Sequence, residues 1–301
     1  MKKFCAATVL LTLPFLMFGA GTVGPDFLRI DPPARYAAMS DASCAVADDS
    51  NCTIFNPAAL ACVSKTSLSF THYASFVDTD YEYLSFAMPY YPNLGTFGAS
   101  LLFDSTYNFD QIDSFGNVVG KVNNYDMLFT ASYGNQIMPG ICAGANVKYF
   151  MSELYKYTKK GIAADLGMLF KIASVPDVFA GINLQNIGYQ TAYISVPDTL
   201  PLNLKAGLGI KNKFNDIISF TGAMDVNRLL VSNEPPTLDI GAELALYDTV
   251  FLRGGFGFRY SDNNLSVGLG FEIEKKAMLS YAYQPFDMLG DTHRLSLDWM
   301  F

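Results

Sequence analysis

From Leu265 the chain alternates: Leu265, Val267, Leu269, Phe271 and Ile273 fall on one face, Ser266, Glu272 and Glu274 on the other. A period of two is the signature of an extended strand with one apolar and one polar side. The same template fits Leu238, Ile240, Ala242, Leu244 and Leu246, opposed by Asp239 and Glu243, and again Leu84, Phe86, Met88 and Tyr90, opposed by Ser85. It predicts strands near 67–76, 81–91, 95–109, 123–133, 141–153, 160–172, 177–187, 202–211, 217–227, 237–247, 250–260, 264–274, 277–284 and 293–301, fourteen in all.

Fourteen such strands can hide their apolar faces against one another, as in a soluble sandwich or propeller, or turn them to lipid around a polar lumen. Half of the residues are hydrophobic and only 16% are charged, yet beyond the N-terminus no run reaches 18 consecutive apolar residues. Strand lengths near ten suit tilted membrane strands, and the even count and the many Tyr and Phe suit a barrel with interfacial girdles. The expected fold is therefore all-β, a 14-stranded antiparallel transmembrane β-barrel over 67–301 in the bacterial outer membrane, among its lipids. A net charge of −8 and the lack of a basic stripe exclude nucleic acid as a partner.

The two ends agree with that expectation. Lys2 and Lys3, the apolar run from Phe4 to Phe18 and the small residues Gly19, Ala20 and Gly21 predict a cleaved signal peptide over 1–21; an uncleaved anchor is the rival. Cys5 lies inside the apolar run, which argues against lipid attachment there. At the other end Leu295, Leu297, Trp299 and the final Phe301 resemble the C-terminal signal of bacterial outer-membrane proteins. That resemblance implies the barrel-assembly machinery as a partner.

Residues 22–66 read differently. No period of two is sustained from Gly24 to Val63, and the segment is too small for an independent domain and too apolar for a disordered tail. A barrel of this size must be filled or must conduct water, so the segment is expected to be a plug, or hatch, in the lumen.

Within it, "GPDFLRIDPPARYAAMSDASCAVADDSNCTIFNPAALA", residues 24–61, resembles the start of PorV/PorQ-type and related FadL-like outer-membrane proteins. The shared pattern falls at Phe27, Leu28, Ala34, Arg35, Met39, Asp48, Asp49, Asn56, Pro57 and Ala58; Ser40 departs from it, since the family commonly has glycine there. FadL-like proteins are fourteen-stranded barrels with an N-terminal hatch that pass hydrophobic molecules such as long-chain fatty acids by diffusion. PorV-type relatives instead serve protein secretion. The resemblance thus implies passive uptake of a hydrophobic small molecule, with a component of a type IX-like secretion system, and secretion partners, as the alternative.

The residues of the motif also have a reading of their own. Asn56 can cap a short helical turn, Pro57 suits its first position, and Ala58 to Ala61 would form it. The turn is either a stabilising cap alone or part of a gate. Asp48 and Asp49 read as anchors to lumen cations rather than as a metal site, which needs more oxygens than two adjacent carboxylates supply.

If Tyr247–Thr249 and Ser261–Asn264 are tight turns, Glu243, Arg253 and Glu272 stand in a cross-strand charge ladder facing the lumen, with inward Arg259 nearby. Cys44, Cys52, Cys62 and Cys142 allow three full pairings, with buried thiols as the default. There is no CxxC metal spacing, no cofactor motif and no nucleophile elbow. Ser69 or Ser75 near His72 lacks a third triad member, so the chain is not expected to be an enzyme.

Overall fold

The computed structural model describes residues 23–76, 79–90, 94–258, 264–286 and 290–301. The predicted signal peptide, Arg259 and the connection at 259–263 lie outside them. Fourteen strands close into one antiparallel barrel: β1 (Ser67–Ala74), β2 (Thr79–Pro89), β3 (Thr96–Ile112), β4 (Val118–Met138), β5 (Ile141–Leu154), β6 (Tyr157–Ser174) and β7 (Asp177–Gln190) form one half. The other half is β8 (Asn203–Lys213), β9 (Ile218–Leu229), β10 (Thr237–Leu246), β11 (Val250–Phe258), β12 (Asn264–Ile273), β13 (Ala277–Phe286) and β14 (Gly290–Met300). Each strand pairs with its neighbours in sequence.

Closure is made by β14 on β1, from Ser67 opposite Met300 to Ala74 opposite His293. The Phe301 N–H donates to the Thr66 carbonyl, so the last residue is tied to the start of the first strand. A closed sheet leaves no edge of unpaired backbone groups. Leu295, Leu297, Trp299 and Phe301 all face outward.

The outer surface is apolar and the inner one polar, as the alternation requires. Leu68, Phe70, Leu84, Phe86, Leu101, Phe129, Leu269 and Phe271 are exposed outward, while Ser69, Ser85, Asn146, Lys148, Asp165, Asp225 and Arg253 are buried inward. This inversion of the soluble pattern is what a lipid-facing barrel needs.

The segment before β1 runs through the lumen. Its regular pieces are short: a 3₁₀ turn at Asp26–Arg29, helix α1 (Ala34–Ala37), helix α2 (Cys52–Phe55) and a second 3₁₀ turn at Pro57–Cys62. Burial rather than helix propensity holds them, since four-residue helices have no stability of their own. Tyr36, Met39, Phe55 and Leu60 are all essentially inaccessible.

Glycines on the inner wall let this backbone approach. Gly134, Gly144 and Gly167 stand opposite one another on β4, β5 and β6, and a side-chain carbon at Gly144 would lie 2.3 Å from the Pro57 carbonyl carbon and 2.4 Å from its oxygen. Gly241 and Gly255 form a second pair, on β10 and β11, under Met39 and Ser40. There Ser40 takes φ 57° and Asp41 φ 62°. Left-handed backbone costs a serine roughly 1–2 kcal/mol, so the chain keeps, at Ser40, the turn that a glycine would make freely.

Candidate functional site

The candidate site is the contact between the lumen segment and the wall. Arg35, on α1, is its electrostatic centre: Nη1 donates to Asp48 Oδ1 at 2.6 Å, and Nε and Nη2 grip the two oxygens of Glu243 at 3.1 and 2.9 Å. Glu243 comes from β10 and also accepts from Arg253 Nε at 2.7 Å. Asp48 in turn accepts from Lys211 of β8 at 2.6 Å. A chain of ions therefore runs from β8 through the segment to β10 and β11.

Asp48 and Asp49 are adjacent but differ chemically. Burial alone would raise the Asp48 carboxyl, but Arg35 and Lys211 outweigh it and hold it well below the usual carboxylate range. For Asp49 burial wins: its carboxyl is pushed up, against Arg35 and with Asp48 beside it, while it accepts from the Tyr36 hydroxyl at 2.9 Å and the Asn51 N–H at 2.9 Å. Both carboxylates are committed to protein donors.

Glu243 and Arg253 stand opposite each other, as the turn at Tyr247–Thr249 requires. Glu272 does not join them. The residue opposite Arg253 on β12 is Gly268, and Arg253 Nη1 donates instead to Ser280 Oγ at 2.9 Å. The cause is the placement of the β11–β12 connection: Gly257 pairs with Asn264, so the connection is centred about two residues earlier in the chain than a turn at 261–264 would be, and the register moves Glu272 toward the short-turn end.

The Asn56–Pro57–Ala58 motif sits in the glycine row. Asn56 Oδ1 accepts from the Ala58 N–H at 3.1 Å, capping the turn with Pro57 at its first position, and Nδ2 donates to the carbonyls of Cys44 at 2.9 Å and Met168 at 3.2 Å. One side chain thus ties the turn, the rest of the segment and β6 together. Asn56→Ala strands three buried backbone groups, at about 2–3 kcal/mol. Amides of Ala58–Cys62 should then exchange hydrogen on the order of 100-fold faster, and unchanged protection would show that the cap is dispensable.

Phe27 packs edge-on against Phe150 of β5 with centroids 5.8 Å apart, and Leu28 lines a cavity described below. Sequence reasoning missed several partners on the wall. Asp225 accepts from the N–H groups of Ser43 and Cys44 at 2.8 and 2.9 Å, and Asn146 and Asn183 donate to the carbonyls of Thr53 and Phe55 at 2.8 and 2.9 Å. Lys205 donates to the Asp41 carbonyl at 3.0 Å. Their signal was present as polar residues at inward positions of otherwise apolar strands. Ser69 and His72 lie on opposite faces of β1, His72 outward on Glu82 at 2.7 Å, so they cannot act as a pair.

The wall is interrupted on β7. Leu184 faces Leu166 and Ile187 faces Ala164, so Gln185 and Asn186 together oppose Asp165 in a β-bulge. Asn186 has φ 64°; its N–H donates to Asp165 Oδ1 at 2.8 Å, and its Oδ1 accepts from Lys148 Nζ at 2.9 Å. Lys148 and Asp165 form a wholly buried ion pair at 2.8 Å. The β7–β8 ladder ends at Gln185–Asn203, whereas β7 continues along β6 to Gln190. Above the bulge strand pairing gives way to the β7–β8 connection, whose Pro201 and Asp198 carbonyls accept from Asn186 Nδ2 at 3.1 Å and Gln190 Nε2 at 2.9 Å. Thr199, in the long connection that follows, pairs with Val23 and accepts from the Gly24 N–H at 3.0 Å.

Just inside this interruption lies a cavity of about 200 Å³. Gln185 and Asn186 line one side, Leu28, Asp31 and Ile54 of the lumen segment another, and Lys205, Asn227 and Asp239 the facing strands.

The barrel has well-matched solved counterparts. A toluene transporter of Ralstonia pickettii, TbuX, superposes with a TM-score of 0.61 at 13% identity, covering 89% of this chain and 98% of that one. The Pseudomonas putida toluene transporter TodX gives 0.62 at 11% identity, with 89% and 98% covered. A FadL homologue of Pseudomonas aeruginosa gives 0.56 at 10%, again with 89% and 98% covered. At such identities the likeness establishes a shared fold. No curated protein matches the chain. A family model does match, over residues 25–197, which is more than half of the sequence and includes the whole Phe-Leu to Asn-Pro-Ala stretch; the chain belongs to Uncharacterised protein family UPF0164.

Proposed function

We propose that the protein is an outer-membrane channel for passive entry of small hydrophobic molecules, closed at rest by its lumen segment. The observation that carries the reading is the interruption of the β7–β8 ladder directly beside the cavity, where the connection between the two strands, rather than strand pairing, closes the wall between lumen and membrane. Solved barrels of the same architecture are toluene transporters and a FadL homologue, which supports the substrate class.

The cavity favours compact molecules over long acyl chains. Ligand sites for drug-sized molecules run to roughly 300–1,000 Å³, and this one is smaller, with the carboxylates of Asp31, Asp41, Glu234 and Asp239 outnumbering the cations Arg29 and Lys205 in its lining. A fatty acid would bring its own carboxylate against them. The polar walls suit a vestibule that a neutral molecule crosses rather than a greasy pocket that retains it.

Uptake of labelled toluene and labelled oleate by cells making the wild-type chain, against cells with an empty vector, tests this. Toluene uptake should rise several-fold and oleate uptake little, and deleting Asn186, which restores one-to-one pairing of β6 with β7, should return toluene to the vector rate. Vector-level uptake of both from a folded, surface-located wild-type barrel would overturn the channel reading. It would return the secretion alternative, which a filled lumen serves equally well.

A further inference from the structure

We propose that Cys62 and Cys142 form a disulfide that tethers the end of the lumen segment to strand β5 at the short-turn mouth of the barrel. The two residues are 80 positions apart in sequence, and the fold brings them together. Cys142 faces the lumen one inward position from Gly144, the glycine on which Pro57 rests. The 3₁₀ turn that begins at Pro57 packs along that strand and ends at Cys62, which brings its sulfur within interaction reach of the Cys142 thiol.

The surroundings suit oxidation at this pair and not at the others. Cys44 and Cys52 are buried without access to solvent, whereas Cys62 is exposed and Cys142 partly so. The Cys142 thiol beside it, helped by Lys211 and Lys171 and opposed by burial and Asp48, draws the Cys62 thiol down to about 7. A thiolate at the surface with a second thiol in contact is the arrangement that completes an exchange.

The reaction needs a disulfide donor, a protein or small-molecule disulfide of the compartment outside the cytoplasm. The Cys62 thiolate attacks one donor sulfur, a mixed disulfide forms and the first donor thiol leaves. Cys142 then loses its proton and attacks Cys62 Sγ, expelling the second. Two protein thiols are oxidised, one donor disulfide is reduced to two thiols, and the two protons pass to them. The tether fixes the end of the segment nearest β1, so any opening movement is confined to its other half, beside the cavity. The thiol pair stands whatever the channel carries.

The folded full-length barrel in detergent is treated with oxidised glutathione, and its thiols are then alkylated with a maleimide before and after denaturation. The expected wild-type product is lighter by two hydrogens, yields a Cys62–Cys142 cross-linked peptide on digestion, and shows alkylation at that pair reduced about tenfold or more. Cys142→Ser should trap the glutathione adduct on Cys62, and Cys62→Ser should give no adduct and no cross-link. A stable glutathione adduct on Cys62 in the wild type, or two thiols that stay independently reactive, would overturn the assignment. Because oxidation follows folding, the result does not depend on either variant's yield.

Discussion

Arg35→Ala should release the lumen segment from a barrel that is otherwise intact. The guanidinium satisfies Asp48 and both oxygens of Glu243, and it lies 3.5 Å from Asp49. Removing it leaves Glu243 with Arg253 alone, Asp48 with Lys211 alone, and Asp49 with no cation within ion-pair reach. Breaking a buried ionic network by deleting one partner costs about 3–5 kcal/mol, because the remaining charges stay buried. Hydrogen exchange of the segment's amides should therefore accelerate by roughly two to three and a half orders of magnitude. Amides of β10 and β11 should change far less.

The conservative variant separates charge from geometry. Arg35→Lys keeps the cation but loses the fork that engages both Glu243 oxygens. It should recover only part of the protection. If Arg35→Ala left the segment as protected as in the wild type, the ionic chain would be ornament and the apolar contacts of Tyr36, Met39 and Phe55 would carry the docking.

The barrel was legible in the sequence because its signal is local. A residue's face in a strand is set by its neighbours two positions away, so Leu265 to Ile273 or Leu238 to Leu246 announce themselves without knowledge of the partner. Register is harder, because it depends on where each connection is centred. The three-residue link after Leu246 placed Glu243 opposite Arg253, whereas the link after β11, centred earlier in the chain than its sequence suggests, removed Glu272 from the ladder. A slip of this kind keeps every side chain on its proper face, so nothing in the alternation could have warned of it.

The contacts of the lumen segment were less legible still. Arg35, Asp48 and Asn56 stood out through a motif, but their partners Glu243, Lys211 and Met168 lie on strands far along the chain. An irregular segment has no period, so no rule of spacing matches its residues to theirs. What the strands did carry was the imprint of the segment: inward lysines and aspartates such as Lys205 and Asp225, and inward glycines in rows. Read as a set, those positions outline the surface on which the segment rests.

Gly144→Ala tests whether that imprint is structural. The added methyl would lie 2.3 Å from the Pro57 carbonyl carbon and 2.5 Å from the Ala58 nitrogen, against about 3.5–4.0 Å for carbon atoms at rest. These neighbours are backbone, held by the proline ring and by the Asn56 cap, so no side chain can rotate away. Gly134 and Gly167 flank the site on both sides, the first under the Pro57 carbonyl and the second under the Asn56 cap oxygen, which leaves little lateral room. The turn must lift from β5 by roughly 1 Å or more, and overpacking of this severity costs about 3 kcal/mol or more. Exchange protection over 52–63 should fall by about two orders of magnitude, and ion conductance through the barrel in a planar bilayer should rise with it. Gly254→Ala is the matched control, since a methyl there meets nothing nearer than the Ser266 carbonyl at 4.0 Å. Equal protection in the two variants would mean that the lumen segment is not seated on the glycine row, and the closed resting state proposed for the channel would lose its basis.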